Sequence, residues 1–348
     1  MIRRLLAVAL AVLALAGCSR DGADGDRAAE GVWVEREVSF DANGLTVYGT
    51  YRHLSGRGAG PAALLISESG QTDRNGDNNV AGPVGNMRQL AEYLSGHGVS
   101  TLRYDKVGTG ATGLGPFADR PADIGSAVYT DGARAAVRFL ADQADTDAGR
   151  ISVYALGEGT IHAMSLADDT SAGAPRIHSL GLLAPLPARY LDLITGRVSA
   201  DVAAAVRAGS KTPEQGAAVI AAWRAAVEQT RATGTVTADL PDGLGGILSP
   251  GNAKAVLSSD AIDPVELAAR IPAGTPVLLT CSDSDAQAPC SAMQPLVSAL
   301  APTALEFVEL SGVNHVLRDD PTDNVANYAT MAPFSAQVTA ALDAFVTE

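Results

Sequence analysis

Apolar and polar positions alternate with a period of two over residues 32–40 and again over 45–53, on either side of Asp41-Ala42-Asn43-Gly44. That alternation predicts two half-buried strands joined as an antiparallel hairpin. The run at 61–67, Pro-Ala-Ala-Leu-Leu-Ile-Ser, is continuous instead, which suits a strand covered on both faces. Similar runs at 99–104, 150–156, 177–185, 276–281 and 305–310 predict further strands. Helical spacing fills the gaps between them. Over 84–96, Met87, Leu90, Ala91 and Leu94 fall on one face. Other helices are predicted at 124–142, 160–167, 289–300 and 333–346. Strands alternating with helices predict a mostly parallel sheet with helices on both faces, the leading hairpin adding antiparallel strands at one edge.

The rhythm breaks at 186–270. Alanine-rich helical stretches at 198–208, 213–228 and 252–257 replace the strands, separated by Pro241-Asp242-Gly243 and Pro250-Gly251. The pattern predicts a helical cap inserted between two strands. The first residues differ in kind. Met1-Ile2-Arg3-Arg4 is positive, and Leu5 to Ala16 is apolar but too short to span a bilayer comfortably. The ending Leu15-Ala16-Gly17-Cys18 resembles a bacterial lipobox. That resemblance implies a signal peptide over 1–18, lipid on Cys18, and a location in the cell envelope outside the cytoplasmic membrane. Residues 19–31 are small and polar and read as a disordered tether, which leaves 32–348 for the folded domain. Membrane contact is then expected through the lipid anchor only.

A net charge of −14 disfavours nucleic acid and anionic surfaces as partners. Of three cysteines, Cys18 is assigned to lipid, and Cys281 and Cys290 remain as a pair suited to a disulfide in an oxidising compartment. No metal is expected. The chain lacks C-x-x-C and H-E-x-x-H spacing, and Asp73-x-Asn75-x-Asp77 has neither the glycine nor the closing glutamate of a calcium loop. No motif calls for a cofactor.

In open α/β sheets, ligand chemistry gathers beyond the carboxyl ends of the strands. One late predicted strand is followed by Asp283 and Asp285, and the next by Gly312-Val313-Asn314-His315. An acid and then a histidine is the second half of the Ser…Asp…His order. In that chemistry the imidazole moves the nucleophile's proton, and the carboxylate fixes its tautomer. His315 is the strongest base candidate of five histidines because its Gly/Asn loop lets a ring turn into a cleft. His53, His97 and His178 sit at element edges, and His162 reads as a packing residue. Asp285 is preferred to Asp283 because it lies farther past the strand. Ala155-Leu156-Gly157-Glu158-Gly159 joins a strand to a small-residue helix, the setting of the G-x-S-x-G turn, with Gly157 at the tip.

Several segments together resemble bacterial α/β-hydrolases of the esterase type. They are Leu64 to Asn78 (LLISESGQTDRNGDN), Leu102 to Gly113 (LRYDKVGTGATG), the turn at Gly157, the Asp285 loop and Gly312 to Arg318 (GVNHVLR). Members of that group look like G-S-G-x-T-D-R-D-G, R-Y-D-K-R-G-x-G-x-S, G-H-S-E-G-G, an acid turn and N-H. The resemblance covers nearly all of 32–348. It implies an α/β-hydrolase fold and a small-molecule ester or acyl-type ligand. It also implies one oxyanion N–H from Ser69 or Gly70 and another from Glu158. Asp73 and Arg74 would order the oxyanion loop, with Asp105 nearby. The chain departs from the pattern at Leu156-Gly157, which replaces His-Ser, so weak hydrolysis or none is expected. Thr160 lies a helical turn away and should point elsewhere, which leaves Glu158, or water activated by His315 and Asp285, as the candidate replacements. The elbow shape implies that a serine introduced at 157 would meet His315. A catalytically inactive protein that binds an acyl-type ligand or an envelope partner is the rival reading.

Overall fold

The computed structural model describes residues 31–237 and 239–346; the predicted signal, Cys18 and almost all of the tether lie outside them. Eight strands form one sheet in the order β1-β2-β4-β3-β5-β6-β7-β8. β1 (Trp33–Ala42) and β2 (Leu45–Leu54) pair antiparallel, with Trp33 opposite Leu54 and Ala42 opposite Leu45. The turn is tighter than the four residues predicted. Asn43 and Gly44 alone make it, both at positive φ (54° and 86°), the backbone that matches the twist of two-residue hairpins.

The remaining strands, β3 (Gly60–Ile66), β4 (Ser100–Tyr104), β5 (Thr146–Leu156), β6 (Ser179–Leu183), β7 (Pro276–Ser282) and β8 (Ala304–Leu310), run parallel to one another. Leu64 of β3 lies between Leu102 of β4 and Val153 of β5. All three side chains are fully buried, which explains why these strands read as unbroken apolar runs. Helices α1 (Asn86–Gly96) and α9 (Ala336–Val346) meet on one side, where the Tyr93 hydroxyl donates to the Thr339 carbonyl. Helices α2 (Ser126–Ala141) and α3 (Gly159–Ala167) pack together on the other.

Between β6 and β7 the cap folds around its own apolar cluster of Leu191, Ile194, Val198, Trp223 and Leu248. Helix α4 (Tyr190–Arg207) starts well before the predicted 198, since Gly196 in its middle hides the helical pattern. Helix α5 (Pro213–Thr233) opens with a capping box between Thr212 and Gln215. Helices α6 (Ala253–Asp260) and α7 (Pro264–Ala268) complete the insertion. Buried Asp260 ties it together by accepting from the Arg231 guanidinium and the Leu191 N–H. Beyond β7, Cys281 and Cys290 form a disulfide across a separation of nine residues. The helix predicted at 289–300 is shorter, α8 (Gln294–Ala299), because the bridge holds Cys290–Ala292 in a separate 3₁₀ turn. Among the described residues, one Cys/His/Asp/Glu cluster has metal-like spacing (Cys281, Cys290 and Glu309), and its two sulfurs are consumed in the bridge.

Candidate active site

β5 delivers the chain to Gly157 at φ +54°, and α3 begins two residues later. The left-handed conformation is cheap only for glycine, so the sharp strand–turn–helix keeps its shape without a serine. The Gly157 N–H donates to the Leu183 carbonyl at 3.1 Å. Thr160 does not replace the missing hydroxyl. It is buried, and its Oγ1 donates back to the Gly157 carbonyl at 2.6 Å.

The loops after β7 and β8 bring Asp285 and His315 together. Asp285 Oδ2 lies 2.8 Å from His315 Nδ1, with both side chains buried. Asp285 Oδ1 accepts the N–H groups of Gln287 and Ala288, which fixes its rotamer. Asp283 turns away to Ser311 and Gly312. A residue unmarked by the sequence reading joins the loops. Asp323 accepts from the N–H of His315 and, through its other oxygen, from that of Ala286.

The opposite side of the imidazole holds the larger surprise. His315 Nε2 is 3.4 Å from Oε1 of Glu68, close enough for an ion pair but not aligned as a hydrogen bond. Ser69 Oγ donates to the same Oε1 at 3.0 Å. A Cβ built on Gly157 would stand 2.6 Å from Glu68 Cγ. The glutamate therefore fills the space that an elbow side chain would take. Sequence reading missed it because strand-end position does not say which way a loop side chain points. A signal was present nonetheless. Where the resembled pattern G-S-G-x-T-D-R-D-G opens on a glycine, this chain has Glu68, and where the resembled elbow has serine it has Gly157.

The supporting residues lie as a clamp. Arg74 donates through its N–H and its guanidinium to the two oxygens of buried Asp105, at 3.0 and 2.9 Å, and it also pairs with Glu37 at 2.6 Å. Asp105 further accepts the Ala111 N–H, and a Cβ on Gly110 would meet its carboxylate at 2.2 Å. Asp73 accepts the N–H groups of Asn75 and Asp77. Lys106, wholly buried, donates to the Glu68 carbonyl and so holds the backbone from which the glutamate projects. Glu158 stands at the N-cap position of α3 without a side-chain capping bond, and burial raises its pKa against the pull of Lys106. His162 is buried in α3, with Nδ1 3.0 Å from Thr130 Oγ1, in a packing role.

Electrostatics follow from this packing. Burial opposes charge on all three members, and pairing outweighs it. Burial lowers the pKa of His315, but Asp285 and Glu68 raise it well above the usual value. Burial raises that of Glu68, yet His315, Ser69 and Lys106 bring it down to about 2. Asp285 is likewise lowered, by His315 and the two N–H groups, against burial. Two carboxylates flanking one imidazole favour its protonated form. Of the three, only Glu68 lines a cavity of about 400 Å³, together with Ser69, Gly70, Leu156, Gln287 and Tyr328, and His315 lies buried behind it. A roomier cavity of about 770 Å³ lies within the cap, among Ile194, Arg197, Val198 and Leu244, and includes none of the three.

This frame, a mostly parallel sheet with a sharp turn after β5 and acid and histidine loops after β7 and β8, has the α/β-hydrolase fold. Solved structures agree on the fold. The Pyrococcus furiosus esterase Pf2001 is similar at 13% identity and TM-score 0.54, over 90% of this chain and 91% of that one. DcsB in complex with its substrate analogue matches at 15% and 0.56, over 90% and 98%. Est1E from Butyrivibrio proteoclasticus with ferulic acid bound matches at 16% and 0.52, over 84% and 98%. At these identities the likeness shows the fold alone. No family model and no curated protein matches the sequence.

Proposed function

We propose that the protein is a slow hydrolase of small carboxylic esters, exported and held at the membrane by lipid on Cys18. The observation that carries the catalytic reading is the buried Asp285–His315 pair, which reaches a cavity of about 400 Å³ through Glu68. That volume lies within the range of small-molecule sites. The Ser69-Gly70 loop lines it, in keeping with an oxyanion role for a backbone N–H there. The likeness to the esterase Pf2001 supports the substrate class. Gly157 supplies no hydroxyl, so turnover is expected to fall far short of a serine esterase's.

The test is hydrolysis of p-nitrophenyl acetate and butyrate by the folded domain, with and without His315→Ala. Turnover above buffer, unaffected by fluorophosphonate and lost in the variant, is expected. Equal rates with and without His315 would leave the site as a ligand-binding one.

A further inference from the structure

Glu68 is an anionic oxygen nucleophile, and the cation beside it is an acid. We propose that this site opens epoxides, with the Glu68 carboxylate attacking a ring carbon and His315 protonating the ring oxygen. The inference does not depend on the ester reading. It rests on the placement of Glu68, whose Cγ stands 2.6 Å from where an elbow Cβ would be and whose Oε1 is 3.4 Å from His315 Nε2. Glu68 lines the cavity, whereas the elbow itself carries no side chain. Lys106 anchors its carbonyl and Ser69 orients Oε1.

The resting charges decide which electrophile fits. A serine triad begins with neutral histidine, because its first act is to take a proton. Here His315 has a carboxylate at each ring nitrogen, Asp285 at 2.8 Å and Glu68 at 3.4 Å, a setting that favours the imidazolium and suits it to give a proton first. Attack of a carboxylate on an ester carbonyl would form a mixed anhydride, higher in energy than the ester consumed. Attack on a strained three-membered ring forms an ordinary ester.

The cycle closes without any co-reactant but water. A Glu68 oxygen bonds to the ring carbon, the C–O ring bond breaks, and the ring oxygen takes the Nε2 proton as a hydroxyl. Esterification removes the negative charge of Glu68, so His315 keeps only Asp285 as a partner and becomes a neutral base. It then takes a proton from water, whose oxygen attacks the Glu68 carboxyl carbon. The ester C–O bond breaks, the departing diol oxygen takes the proton back from His315, and the new carboxylic acid of Glu68 returns its own proton to Nε2. The water oxygen stays in Glu68, and the diol leaves with an oxygen that belonged to the protein.

That bookkeeping is the experiment. Wild-type protein in large excess is given racemic styrene oxide in ¹⁸O-water for a single turnover, and then excess substrate for many. The expected result is a first diol without ¹⁸O, and ¹⁸O in the Glu68 peptide after many turnovers. Glu68→Gln should lower the rate by at least about 10³-fold. Should that variant not fold, the isotope result on wild type decides alone. Diol formed with ¹⁸O in the first turnover, or no diol above the protein-free rate, overturns the proposal. Aryl esters assayed on the same preparation keep the two readings apart: ester turnover without epoxide opening sinks this one alone, and the converse sinks the ester reading alone.

Discussion

Glu68 changes what a substitution at the elbow should do. Gly157→Ser alone places Cβ against Glu68 Cγ, so the added oxygen meets the glutamate before it meets His315. Overpacking of this kind costs about 1–3 kcal/mol. The expected outcome is a lower melting temperature and no labelling by fluorophosphonate. The double variant Glu68→Gly with Gly157→Ser removes the obstruction and should label, with aryl-ester turnover at least about 10²-fold above the single variant. Labelling of the single variant to the same extent would contradict the steric account. The array also fixes a pH signature. Glu68 and Asp285 are held low, so their stabilisation is complete above their unfolded values and is lost as pH falls toward about 2. His315 is held high, so its contribution is complete below its unfolded value of 6.5 and fades as pH rises through the raised one. Both are in force together between about pH 5 and 6. The melting-temperature gap between wild type and Glu68→Gln should peak there and narrow on either side. A gap that widened steadily from neutral into alkaline pH would refute it.

Two connections carry the elements that position the site. The Cys281–Cys290 bridge closes the loop that holds Asp285. On the chain-entropy account a loop this short gains about 2–3 kcal/mol from its bridge. Cys290→Ser is expected to lose that amount in denaturant unfolding and to weaken His315-dependent turnover. An unchanged stability would show the loop to be held by the Asp285 and Asp323 hydrogen bonds instead. In the cap, Asp260 is fully buried and is bound by Arg231 and the Leu191 N–H. Removing one partner of such a pair costs about 3 kcal/mol. Asp260→Ala should therefore expose the 190–268 segment to limited proteolysis before the sheet is cut.

Across the whole chain, the Leu15-Ala16-Gly17-Cys18 ending carries the one proposal that concerns location. Wild type should fractionate with membranes and Cys18→Ala should not; equal partition of both into the soluble fraction would end the lipoprotein reading. The sheet, the cap's place in the chain and the Asp285–His315 pair were legible in one dimension. Apolar periodicity is a local consequence of burial, and strand-end loops inherit their address from chain order. Helix α4 was read short because a single Gly196 blurs a short window. The disulfide partners were legible by count. Glu68 was not, since a side chain between Ser67 and Ser69 has no period to betray its direction. Only the fold, by bringing the end of β3 against the elbow after β5, shows that position 157 carries no side chain while a carboxylate reaches the imidazole from position 68. Residue type and spacing determined which chemistry was missing. Three-dimensional proximity, which no local pattern encodes, decided what stands in its place.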